Sequence, residues 1–146
     1  MIKMLPKYEE DFYGWVMANA ALLKKGKFNQ VDINHIIEEM ENLGASEKRE
    51  LVSRLSQLIM HLLKWHFQPT MRGHSWIYSI RAQRKQTKLH LKDNPSLKSK
   101  LDEILLDSYD VAISEAAKET SLDEKNFPSE CPYTFDQIID DTFFPE

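Results

Sequence analysis

The chain has 146 residues, 42% of them hydrophobic and 29% charged, with a formal net charge of −4 and a single cysteine, Cys131. That length supports one sizeable core, the composition excludes disorder throughout, and the lone cysteine excludes an internal disulfide and suits a reducing compartment. The longest strongly apolar run, residues 58–63, is broken by His61 and is far short of the ~20 residues of a membrane span, and the first twelve residues have neither signal nor transit character, so a cytoplasmic protein with no membrane association is expected.

In chain order, residues 9–25 read as a helix: acids open it, lysines close it, Gly26 stands just beyond, and Phe12, Trp15, Val16, Ala20 and Leu23 recur at steps of three and four. Gly14 inside it costs about 1 kcal/mol relative to alanine, which is tolerable where a neighbour approaches closely. Asp32 then caps a short helix to residue 43, with Ile33, Ile36, Ile37, Met40 and Leu43 on one side, and Gly44 is expected to end it. Ser46 is the predicted cap of a central helix over 46–68, stopped by Pro69, so the two helices should form a tight antiparallel hairpin. Along the central helix Leu51, Leu55, Leu58, Leu62 and Trp65 form one apolar row and Val52, Ile59, Leu63 and His66 a second. The remaining stripe, Glu50, Arg54, Gln57, His61 and Lys64, should face solvent or a partner.

After Gly73, Ser75 caps a predicted helix over 75–92, and Asn94 with Pro95 opens another over 95–120. Residues 121–133, with Pro128 and Pro132, read as an irregular tail that Phe127 and Tyr133 could pin down, and Thr134 with Gln137 has capping-box spacing before a short helix over 134–142. The expected fold is one all-α domain over 1–146, a compact antiparallel helical bundle with four main helices and two short ones. Trp15, Leu55, Leu58, Leu62, Trp65, Ile80, Leu101 and Leu105 should meet in one core.

Charge is spread unevenly along this frame. Residues 1–71 hold nine acids and nine bases, residues 72–100 hold eight bases against Asp93, and residues 101–146 hold thirteen acids against Lys118 and Lys125. Arg81, Arg84, Lys85 and Lys88 recur along one helix side and could follow a phosphate backbone, with Trp76 and Tyr78 available for stacking. No helix-turn-helix precedes them and the pI is about 5.7, so internal pairing with the acidic C-terminal part, or a merely solvated face, is the stronger expectation.

Other chemistry is sparse. There is no phosphate loop and no nucleophile elbow, and Cys131 between Glu130 and Pro132 is not expected to be a nucleophile. The closest approach to a di-metal motif is His35 with Glu38 and Glu39, with Glu41 or His61 as further candidates, but no Glu-x-x-His pair occurs. His66 should be a hydrogen-bonded, partly buried histidine, and His74, beside Trp76, a recognition residue. No catalytic residue, metal or cofactor is therefore expected.

The succession YEEDFYGW (8–15), IIEEMENLG (36–44), SEKREL (46–51), HLLKWHFQP (61–69), SW (75–76), IRAQR (80–84), NPSL (94–97) and FPSECPYT (127–134) resembles the bacterial family catalogued as domain of unknown function twenty-nine. The resemblance covers nearly the whole chain and implies a compact all-α domain, with no catalytic residues to carry over. Members tend to be richer in arginine around SW, where this chain has Ile77 and Tyr78, and that departure counts against phosphate binding. The expected function is a non-enzymatic module that binds a protein partner or itself through Glu50, Arg54, His61, Lys64, His74 and Trp76. The alternatives are a nucleic-acid-binding or antitoxin-like regulator acting through helix 75–92 and, last, a metal-dependent enzyme.

Overall fold

The computed structural model describes residues 4–146, and among these there is no strand. Five α-helices follow in order: α1 (Phe12–Lys24), α2 (Ile33–Phe67), α3 (His74–Asp93), α4 (Leu101–Thr120) and α5 (Phe135–Ile139). The chain groups into two compact units, one ending at Ala45 and the other formed by Ser46–Glu146.

In the first unit α1 starts where Asp11 accepts a 3.0 Å hydrogen bond from the Gly14 N–H. A Cβ on Gly14 would lie 2.3 Å from the Asp11 carboxylate. The neighbour that justifies this first-turn glycine is thus the cap itself. At the other end Gly26 has φ +74°, its N–H bonds to Leu23 O and that of Lys27 to Leu22 O, the paired bonds of a Schellman stop. Trp15 and Asn19 are buried here in a small polar core. The Trp15 Nε1–H donates to Asp32 (2.9 Å), Asn19 accepts from the Asp32 N–H (2.8 Å), and His35 Nδ1 lies 2.7 Å from the same carboxylate. The bond from Trp15 first, then that with His35, holds the Asp32 carboxyl below its ordinary range.

The predicted hairpin at Gly44–Ser46 is replaced by helix: α2 is continuous for 35 residues. Gly44 keeps a negative φ and Ser46 does not act as a cap. A glycine stops a helix when the chain leaves through the left-handed region, and here neither a proline nor a turn-forming run follows to take it there. The boundary between the two units falls inside this helix.

In the second unit the faces of α2 are as the spacing requires. Leu51, Leu55, Leu58, Ile59, Leu62 and Leu63 are buried with Ile80 and Leu91 of α3 and Ile104, Ala112 and Ala116 of α4. Trp65, Leu101 and Leu105 pack half-buried against that cluster, whereas Trp15 belongs to the N-terminal unit's own core. Further boundaries move: α1 starts at Phe12 rather than at residue 9, α3 starts after Gly73 rather than at a Ser75 cap, residues Pro95–Lys100 form a 3-10 turn before α4, and α5 ends at Ile139 rather than at 142. Pro69 and the Thr134–Gln137 capping box act as predicted.

The tail is less irregular in its role than in its backbone. Phe127, Tyr133 and Ile138 enter the core, Tyr109 Oη donates to Pro128 O (2.6 Å), and Tyr133 Oη lies 2.9 Å from His66 Nδ1. Arg72 spans from Trp65 O (2.8 Å) to Pro145 O (3.3 Å). The last strap is Arg84, fully buried, whose Nε donates to Ile138 O (2.8 Å) and Nη2 to Phe143 O (2.6 Å), with the guanidinium over the Phe144 ring.

Candidate functional site

That position of Arg84 corrects the predicted phosphate stripe. Arg81, Lys85 and Lys88 are exposed and, with Lys92 and Leu89, line one cavity of about 460 Å³, but Arg84 points the other way and serves the tail. The helix period explains the split: Arg84 shares a buried face with Ile80, Thr87 and Leu91, and a long cationic side chain in a core needs acceptors, here supplied by backbone carbonyls. Asp141 also enters the basic cavity and pairs with Lys88 at 3.0 Å.

The six residues expected to form a partner face are divided. Lys64 and Trp76 meet, the ammonium 5.0 Å from the ring centroid, and Lys64 also lies 3.3 Å from Glu119 of α4. His61 is half-buried one turn away, and burial, then the Lys64 charge, lower its pKa. His74 is exposed near Tyr78. Glu50 and Arg54 pair at 2.8 Å in a cavity of about 470 Å³ that Glu47, Gln86, His90 and Asp93 help to line. Most of these charges are already matched inside the molecule.

The residues weighed as metal ligands do not converge. His35 is held by Asp32 and stacks on Tyr8 with centroids 4.2 Å apart, Glu39 accepts from the Tyr8 hydroxyl, and Glu38 is exposed. Cys131 is half-buried, and burial pushes its thiol pKa up, away from nucleophile chemistry.

Two features escaped the sequence reading. Glu47, Glu50 and His90 each offer a ligand atom, all within 4.8 Å of one another. The glutamates are three apart on one helix face, which was a legible signal, but His90 arrives from α3 and no spacing announces it. The second is an apolar groove in the N-terminal unit, a cavity of about 430 Å³ whose walls include Phe12, Val16 and Leu23 of α1 and Ile36, Met40 and Leu43 of α2. Met40 and Leu43 are 66% and 67% exposed, far more than a helix-facing stripe leaves open. Among the described residues, twelve of the seventeen exposed large hydrophobics lie between Met4 and Leu43 and five between Met71 and Val111, so their apolar exposure is concentrated in the N-terminal unit.

Among the described residues no helix is long and apolar enough to cross a membrane. The family model described as "Domain of unknown function DUF29" matches residues 7–144. No curated protein and no solved structure matches the chain.

Proposed function

We propose, for a chain that belongs to the DUF29 family, that it is a non-enzymatic cytoplasmic interaction module whose docking surface is the groove between α1 and the first turns of α2. The observation that carries this reading is the exposure of Phe12, Met40 and Leu43 around a formed cavity. The charged face first favoured by the sequence is less suited, because Glu50 with Arg54 and Lys64 with Glu119 already satisfy one another.

The occupant follows from shape and charge. Two helices with an apolar trough between them fit the apolar face of a third. Residues 33–45 carry Glu38, Glu39 and Glu41 and no lysine or arginine, so a helix with basic flanks is complementary. The partner is therefore a basic amphipathic helix of another protein.

Calorimetric titration with a synthetic peptide, leucines on one helical face and lysines on the other, tests this. Binding is expected, with at least tenfold weaker binding of the version bearing glutamates and of Met40→Glu/Leu43→Glu protein at an unchanged melting temperature. Equal binding of both peptides, no binding of either, or a wild-type dimer that the double substitution dissociates would overturn the assignment.

A further inference from the structure

We infer that Glu47, Glu50 and His90 form a binding site for one divalent transition-metal ion of the zinc class, clamping α2 to α3. The ring of His90 is 8% exposed and stands among carboxylates. Its Nε2 lies 2.8 Å from the Glu47 carbonyl oxygen, which only accepts, so Nε2 carries a hydrogen and donates. In the neutral ring the lone pair is then on Nδ1. That atom faces the Glu50 Oε2 at 3.5 Å and makes no hydrogen bond.

A ring lone pair and a carboxylate oxygen facing each other repel unless a proton or a metal ion lies between them. The spacing distinguishes the two. An N–H···O bond to a carboxylate closes to about 2.7–2.9 Å. Two ligands of a tetrahedral ion, each at about 2.0–2.1 Å, stand about 3.4 Å apart. The observed 3.5 Å fits the second.

The surroundings have the arrangement that holds metal ligands in place. The Nε2–H donating to a main-chain carbonyl fixes the ring, as in most ligating histidines. Arg54 Nη2 donates to Glu50 Oε1 at 2.8 Å, which orients that carboxylate and leaves Oε2 for the ion. Asn94 Nδ2 donates to Glu47 Oε2 at 3.4 Å, that oxygen lies 3.6 Å from His90 Nε2, and Asp93 borders the same cavity. One nitrogen and two carboxylates suit zinc, with a coordination position left toward the cavity.

Equilibrium dialysis of tag-free protein against zinc(II), with cobalt(II) absorption as a spectroscopic probe, decides the matter. One ion per chain is expected, with d–d bands of a tetrahedral cobalt site and a rise in melting temperature on adding zinc. Glu50→Gln and Glu47→Gln, which keep shape and should fold, are each expected to weaken binding at least tenfold, whereas His74→Ala leaves it unchanged. Absence of bound metal, or equal affinity in wild type and both glutamine variants, would overturn the inference.

Discussion

Arg84 shows how much of this molecule depends on single polar side chains. Its sequence context, four bases at helical spacing, is that of a surface stripe, and only the burial of its neighbours Ile80, Thr87 and Leu91 moves it inside. Removing it leaves the carbonyls of Ile138 and Phe143 without a donor in an enclosed place. Arg84→Ala is expected to cost roughly 2–4 kcal/mol in urea denaturation, set by lost charge-assisted bonds and unsatisfied acceptors. Lys85→Glu, one residue away but exposed, should stay within about 0.5 kcal/mol. In the apolar core Leu58→Ala is expected to cost about 2–5 kcal/mol, since Leu58 is fully buried and its neighbours are fixed on three helices.

His66 gives a prediction of a different kind. Burial, then the Arg72 charge, lower its pKa in the folded state, and Nδ1 lies 2.9 Å from the Tyr133 hydroxyl, whose own pKa burial raises and which also donates to Leu62 O at 3.5 Å. His61 is shifted in the same direction by burial. With folded pKa values below the unfolded value of about 6.5, the unfolded chain binds more protons on acidification. Stability should hold above about pH 7 and fall as the pH drops through the unfolded pKa and below it. Melting temperatures of the wild type and His66→Gln between pH 7.5 and 5 check this, the variant losing less over that interval.

At the scale of elements, the signals that could be read were those with a local mechanism. Gly26 ends α1, Pro69 stops α2, and Thr134 with Gln137 starts α5, each through hydrogen bonds or missing donors within a few residues, whereas the Asp11 cap of α1 reads in the sequence as part of its first turn. Misreadings occurred where a residue type has two uses. Gly44 and Ser46 resemble a stop and a start but are carried within α2, and Asn94 resembles an N-cap while its Nδ2 donates backwards to His90 O. Gly44→Ala distinguishes the two readings of α2. A Cβ there meets nothing within 4 Å and φ is negative, so alanine should stabilise by roughly 0.5–1 kcal/mol by propensity alone. At Gly26, with φ +74°, the same substitution should destabilise by about 1 kcal/mol. Destabilisation at both positions would restore the hairpin.

At the scale of the whole chain, the sequence separates its charges, and the fold of the second unit brings part of them back together. Lys48 pairs with Glu103 at 2.7 Å, Lys64 with Glu119 at 3.3 Å and Lys88 with Asp141 at 3.0 Å, each base drawn from α2 or α3 and each acid from the C-terminal third. These contacts follow from a packing that no local pattern encodes, as does the approach of His90 to Glu47 and Glu50. They bear directly on the nucleic-acid alternative. Reversing Arg81, Arg84, Lys85 and Lys88 together is a poor test, because loss of the buried Arg84 would unfold the tail and remove any binding with it. Arg81→Glu/Lys85→Glu/Lys88→Glu keeps Arg84 and touches one exposed ion pair, so its melting temperature should fall only slightly. If those three side chains neutralise phosphates, wild-type binding to duplex DNA must weaken steeply with salt, since each neutralised phosphate releases a counterion, and the triple variant must lose it. With Lys88 held by Asp141 and Arg84 enclosed, too few free cations remain on that face, and a low-salt gel shift of the wild type is expected to be negative. A salt-sensitive shift that the triple variant abolishes while keeping its fold would transfer the function from the apolar groove to α3.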